Sequence, residues 1–408
     1  MRAGWDLSGN DDISNYAART SFGVSKYLWK STAAQLDNIG NEEISWEQTR
    51  KLNIGFKAYF LNNRIGVDFD YYHHRTSNLL TLKEFENPVA GILNYWSNGG
   101  SLTNTGFELA LTGKPIVSKD LQLELGASMG HYVNKVKSLP NDDLIYVDGV
   151  KSAQGYTSSI YGTDNVATIV GQSLGVFYGY RTNGVFSTDA AARVGKVTAE
   201  NPEGYLYMKD ATGANQYFKA GDVYFQDLNN DGEISEADKT IIGNPNPDIY
   251  GNIFANVSWK NFTLYMGFNY SVGNDVFNYQ RSILEGGNNF YNQSTTMTNR
   301  WRAEGQQTDV PRISYGDPMG NSRFSDRWIE DGSYLRLKTL RLSYKVPVAS
   351  DWLQGLSVWA EANNLLTFTH YLGSDPEFSV NNSVLYQGID AGNVAMGRAF
   401  TVGMRINL

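Results

Sequence analysis

Apolar and polar residues alternate along stretch after stretch of this chain, and the stretches come in pairs joined by a few residues. In KLNIGFKAYF, Leu52, Ile54, Phe56, Ala58 and Phe60 fall on one face, and Asn53, Gly55, Lys57 and Tyr59 on the other. That is the period of two that a β-strand imposes. After LNNR the pattern resumes, with Ile65, Val67, Phe69 and Tyr71 opposed to Gly66, Asp68, Asp70 and Tyr72, which is hairpin chemistry. The unit recurs at Phe107, Leu109 and Leu111 and again from Leu121 to Met129. Ile253, Ala255, Val257 and Trp259 lead through Lys260 and Asn261 into Phe262, Leu264, Met266, Phe268 and Tyr270. YLRLKTLRLSY joins LSVWAEANN, and the last run is Phe400, Val402, Met404, Ile406 and Leu408. In YLRLKTLRLSY the apolar phase slips from Leu335 and Leu337 to Leu340, Leu342 and Tyr344, which predicts a bulge or a strand that leaves the buried zone part-way.

The connections constrain the fold further. Short ones, near Asn62, over Lys114 to Asp120, at Lys260 and around Pro347, alternate with long ones rich in Gly, Asn, Asp and Tyr over 8–48, 76–105, 134–248, 273–332 and 364–397. Short turns at one end, long loops at the other and about ten strands near ten residues each describe an antiparallel transmembrane β-barrel. A soluble sandwich, the competing all-β reading, has shorter strands and mixed loop lengths. A closed barrel satisfies the backbone inside lipid while turning apolar residues outward. Trp259, Phe262, Tyr344 and Trp352 lie near the short turns, where an aromatic girdle belongs; packing at strand ends explains each singly as well. Aromatic residues at 13%, with Gly 41 against Pro 10, suit strands and turns.

Several classes fall away. With no cysteine, disulfides and thiolate metal sites are excluded. A net charge of −8 without a basic, aromatic-interleaved run argues against nucleic acid as a partner. No apolar run is long enough for a spanning helix, and Met1-Arg2 leads into Gly4-Trp5-Asp6 rather than an apolar signal core. The first strand, Ala3, Trp5 and Leu7 outward, has no upstream partner in the sequence, which leads to the expectation of a missing N-terminal part, since a long unpaired edge is an aggregation hazard.

Ordered words in the sequence resemble one family. RAGWDLSGNDDISNY, ISWEQTRKLNIGFKAYFLNNRIGVDFDYYHHRTSNLL, GSLTNTGFELALTGKP, GQSLGVFYGYRTNGVF, NRWRAEGQQTDVPR, SDRWIEDGSYLRLKTLRLSYKVP, NNLLTF, YLGSDPEF and GRAFTVGMRINL are similar to successive segments of the SusC-like TonB-dependent outer-membrane transporters. The resemblance runs along essentially the whole chain. It implies the C-terminal half of a 22-stranded barrel, with the plug domain and N-terminal strands absent from residues 1–408, as a fragment, a split gene or a truncated chain would look. It further implies import of an oligosaccharide or oligopeptide beneath a SusD-like surface lipoprotein lid, coupling to TonB through a plug not present in this chain, contact with outer-membrane lipid, and no catalysis. A soluble or surface all-β binding protein, or a nonfunctional remnant, are the other readings. Barrels of this kind commonly end on Phe, and Leu408 departs from that.

The most explicit chemistry is DLNNDGEISEAD, within the long 134–248 connection. Its oxygens follow the spacing of an EF-hand loop, with Asp227, Asn229, Asp231, Glu233 through its carbonyl, Ser235 and Asp238 as Ca²⁺ ligands and Gly232 at the sharp turn. Asp238 stands where Glu is usual and has a shorter reach. No helical stripe flanks the loop, so a structural ion, Ca²⁺ before Mg²⁺, is expected rather than a sensor; a solvated acidic turn is the plain alternative. His73 and His74 are adjacent on a strand and point to opposite faces, poor geometry for one metal. Glu330-Asp331 and Asp375-Glu377 lack the partner constellation of a glycosidase. Loop aromatics Tyr95, Trp96, Tyr156, Tyr161, Tyr178, Tyr180, Tyr291 and Tyr371 are candidates for stacking on substrate and equally for packing loop against loop or against a lid.

Overall fold

The computed structural model describes residues 1–27, 31–89, 92–140, 143–348 and 352–407. Leu408 lies outside them. Ten long strands form a single antiparallel sheet: β1 (Arg2–Asn10), β2 (Glu47–Phe60), β3 (Ile65–Ser77), β4 (Ser101–Val117), β5 (Leu121–Ser138), β6 (Ile249–Trp259), β7 (Phe262–Val272), β8 (Tyr334–Val346), β9 (Gly355–Thr369) and β10 (Ala399–Asn407). Each pairs with its neighbours in chain order, and β1 and β10 are the edges.

The register turns the sequence alternation into two continuous surfaces. Ala58, Val67, Leu111, Ala127, Ile253, Phe268, Leu337 and Leu366 lie opposite one another across eight strands, a wholly apolar row. One residue along, the row reads Lys57, Asp68, Ala110, Ser128, Asn252, Asn269, Arg336 and Thr367. Slipping a strand by one place would put polar or charged residues into the apolar face, so register is strongly specified. The apolar face is exposed at Phe60, Leu111, Ile253, Leu342 and Val402, as a lipid-facing wall requires. Near the short turns Trp259 stacks on Phe262 at 6.4 Å and Phe262 meets Tyr344 at 4.6 Å, a contiguous aromatic rim.

The irregular strand is bulged. Against β7 the pairing passes from Leu337 to Thr339, leaving Lys338 unpaired, and β9 carries an extra residue at Asn364-Leu365. One expectation was misplaced: the turn read over Lys114 to Asp120 is shorter, because β4 continues to Val117. Pro115 is accommodated where the register shifts between Gly113 and Ile116, and at a bulge a missing N–H costs no ladder bond.

The molecule's buried apolar clusters lie in the long connections. Leu144–Val147, Val150–Ile160, Thr163–Ile169, Val176–Tyr180 and Lys239–Gly243 make a five-stranded antiparallel sheet inside the connection between β5 and β6. Its outer strands are tied by the Thr240 hydroxyl, which donates to Asp148 at 2.8 Å. Phe186, Leu206, Phe218, Val223 and Phe225 form one core with Met319. Ile160, Val166 and Phe177 form another with Phe277, Phe324, Trp328 and Ile389. Residues from three connections, after β5, β7 and β9, thus share one interior and form a cap.

Candidate functional site

The polar face of the wall carries a cluster of charge on its first strands. Arg2 on β1 reaches across β2 to Asp68 on β3 at 2.6 Å, and its Nε donates to Asp70 at 2.7 Å. Lys57 sits 3.4 Å from Asp68. Beyond this cluster Asp68, Asp70, Glu108, Ser128, Tyr250 and Asn252 line a hollow of about 320 Å³, and Tyr132 meets Tyr250 edge-on at 6.0 Å. Small residues make the room: Gly106 and Gly130 lie under Tyr72 and Tyr250, where any Cβ would meet the ring. Carboxylates, amides and tyrosines spread over several strands can exchange hydrogen bonds with a polar solute without chemically altering it.

The cap is pinned by buried charge. Asp222 is fully buried, and Arg312 donates to both its oxygens at 2.9 and 3.0 Å. Asn321 donates to Asp222 at 3.0 Å while accepting the Val223 N–H at 2.8 Å. Arg336, at the cap end of β8, is buried and ion-paired to Asp375 and Glu377. Arg281 meets Glu330 at 2.6 Å, and Glu330 also accepts the Leu372 N–H at 2.9 Å. The carboxylates considered for hydrolysis are therefore engaged in holding loops. His73 and His74 go separate ways, to Thr105 at 2.7 Å and Asn53 at 3.2 Å.

The acidic loop adopts a tight, self-bonded form. Asp227 accepts the N–H groups of Asp231 and Gly232 at 3.2 and 2.7 Å, Asn229 that of Asp231 at 3.0 Å, and Asp231 that of Glu233 at 2.8 Å. Gly232 has φ +88°, and a Cβ there would lie 2.7 Å from the Lys196 nitrogen, so only glycine fits. Ser235 and Asp238 cap a single helical turn reciprocally, and Asp238 accepts the N–H of Leu228 at 2.9 Å and of Ser235 at 2.8 Å. Burial pushes the Asp238 carboxyl up to about 6, with the charges of Asp227 and Asp231 adding to the rise. Glu233 turns its side chain to Lys209 at 2.7 Å. Among the described residues no three acidic or imidazole side chains converge on one point; the loop's oxygens are held by its own N–H groups. The Asp148-Gly149 hairpin tip packs against the loop, since a Cβ on Gly149 would lie 2.7 Å from the Leu228 oxygen.

The loop aromatics divide. Tyr178, Tyr180 and Tyr371 are buried, which corrects their candidacy for stacking on a solute: a ring enclosed by protein has no free face. The Tyr178 hydroxyl donates to the Tyr146 carbonyl at 2.7 Å and that of Tyr371 to Asp390 at 2.6 Å, and burial pushes all three phenols above their usual range. Tyr161 stacks on Tyr279 at 4.5 Å. Tyr95, Trp96 and Tyr156 are half-buried, and Tyr291 is exposed beside Phe290, which stacks on Tyr315 at 4.8 Å. The Asp222–Arg312 pair was invisible in sequence because its members are ninety residues apart; no local spacing marks it.

The family model described as TonB dependent receptor-like, beta-barrel matches residues 3–237. The TonB-dependent receptor P3 of Formosa agariphila is 31% identical over 420 residues, 99% of this chain and 39% of that protein. The TonB-dependent receptor SusC of Bacteroides thetaiotaomicron is 26% identical over 427 residues, 100% of this chain and 37% of that one. Among solved structures, the RagAB peptide transporter superposes with a TM-score of 0.76 at 23% identity, over 99% of this chain and 40% of that chain. At that identity the likeness is one of fold. This chain spans about two fifths of the length of these relatives.

Proposed function

The chain belongs to the TonB-dependent receptor-like β-barrel family, and we propose from this that it forms the C-terminal part of the wall and cap of an outer-membrane importer. What carries the reading is the two-faced sheet: an unbroken apolar row outside, a charged and tyrosine-lined face inside, and a folded cap at the long-connection end. The substrate is a large polar nutrient, an oligosaccharide or oligopeptide, held under a SusD-like lipoprotein lid. Energy reaches the pore through TonB acting on a plug supplied outside these residues, and the barrel performs no covalent step. The likeness to a structure described as a peptide transporter supports the oligopeptide class, and the resemblance to SusC-like transporters is what brings in the oligosaccharide class. Uptake of labelled oligopeptides and oligosaccharides by cells carrying the intact receptor tests this. Accumulation should require an energised inner membrane and should vanish when the receptor is disrupted. Uptake that survives either treatment would sink the reading.

We also propose that Asp227, Asn229, Asp231, Ser235, Asp238 and the Glu233 carbonyl hold a structural Ca²⁺. The support is the donor set: hard oxygens at EF-loop spacing. Calorimetric titration of the protein with Ca²⁺ tests it, and no heat above that of an Asp231→Ala variant would count against it.

A further inference from the structure

Two register rows on the polar face shape the hollow of about 320 Å³ that spans β3 to β6. One runs Asp70, Glu108, Gly130 and Tyr250, and the next, toward the short turns, Asp68, Ala110, Ser128 and Asn252. Ala110, Ser128 and Gly130 are small, so the middle of the patch is low. Asp68, Asp70 and Glu108 bound it on one side, Tyr250 and Asn252 on the other.

The polar groups around the hollow are unequally served. Arg2 and Lys57 set two cations against the carboxylates of Asp68 and Asp70. Glu108 is exposed, and among the described residues its carboxylate has neither an ion pair nor a hydrogen bond. The neutral groups are turned to one another: the Ser128 hydroxyl accepts the Asn252 side-chain amide at 3.1 Å and the Asn252 main-chain N–H at 3.2 Å. Gly130 pairs with Glu108, and the ring of Tyr250 lies over Gly130. The hollow thus offers one uncommitted negative charge beside an aromatic ring, two features that each favour a cation. A sugar hydroxyl would find Ser128 and Asn252 already bonded to each other.

We propose that Glu108 and Tyr250 form a subsite for the ammonium or guanidinium group of a basic side chain in an oligopeptide, which the solute meets as it leaves the cap and moves along the wall. This rests on the importer reading above and narrows its substrate to peptides that carry lysine or arginine. The low middle of the patch takes a long side chain. The carboxylate is exposed, so it meets the cation without the cost of a buried charge. Modest binding suits a route, because a solute must leave the wall as well as reach it.

Energised uptake of two labelled oligopeptides by cells carrying the intact receptor tests this, one peptide with a central lysine and the other with glutamine in its place. The unaltered receptor should show an apparent KM about tenfold lower for the lysine peptide. Glu108→Gln should raise that KM to the value for the glutamine peptide, whose own uptake stays as it was, and Glu108→Asp should retain part of the preference. Glu124→Gln, on the same face but nearer the short turns, should leave the preference intact. Heat-modifiable migration establishes that each variant is inserted and folded. Equal KM values for the two peptides in the unaltered receptor would overturn the subsite while the importer reading stands, as would a preference that survives Glu108→Gln. Equal loss of both peptides in a folded Glu108→Gln receptor would also overturn it, since the carboxylate would then hold the plug rather than the solute. Absence of energised uptake of either peptide would remove the oligopeptide class and this subsite with it.

Discussion

Asp222, fully buried, accepts both guanidinium hydrogen bonds of Arg312 and one from Asn321. Removing Arg312, itself partly exposed, would leave the fully buried Asp222 charge desolvated without compensation, a cost of about 3 kcal/mol. Arg312→Ala is therefore expected to loosen the cap while the wall stands. Limited proteolysis should cut the connection between β5 and β6 several-fold faster, with the heat-resistant migration of the barrel unchanged. Asp231→Ala is a gentler change, because that carboxylate is exposed and bonded only within its own loop. It should abolish any effect of a chelator on cleavage near 227–238 without affecting barrel assembly; a chelator effect that persists would remove Asp231 from the site. These two aspartates differ in how visible they are from sequence. Asp231 announces itself through the spacing of its neighbours, whereas Asp222 acquires its role from a partner ninety residues away.

Among the strands, period two did most of the specifying. Met266 lies on the apolar face, opposite Ala255 and Leu340, and Asn256 lies on the polar face opposite Glu124 and Tyr265. Arginine at the lipid-facing midplane of a barrel costs about 2–4 kcal/mol. Met266→Arg should accordingly lower the urea midpoint of unfolding in phospholipid vesicles. Asn256→Arg, facing Glu124 across the polar side, should leave it nearly unchanged, and equal midpoints for the two would refute the assignment of faces. The Lys338 bulge was legible for the same reason, since an inserted residue shifts the phase of every apolar residue after it. The continuation of β4 through Pro115 was not. Proline and glycine read as turn chemistry, and only the pairing with β5 shows that the strand absorbs them in a bulge.

For the whole molecule, orientation is the testable consequence. A peptide tag placed between Lys260 and Asn261, in the short turn, should be hidden from antibody on intact cells. One placed after Thr198, in the cap, should be labelled. The reverse pattern would turn the wall upside down. For Tyr178, Tyr180 and Tyr371, read in the sequence equally as stacking or as packing residues, the cap leaves only packing. Their stretches have the Gly- and Tyr-rich look of solvated loops, yet all three side chains are enclosed by the packed cap. The wall could be read from sequence because a strand's faces depend on neighbours two residues away, and short turns carry that pattern unbroken from one strand to the next. The spacing of the acidic loop is local in the same sense. The shared core of the cap and the Asp222–Arg312 clamp have no such local signature. Each arises where segments distant along the chain are brought together by pairing and packing, and which residues meet there depends on the folded path of the chain.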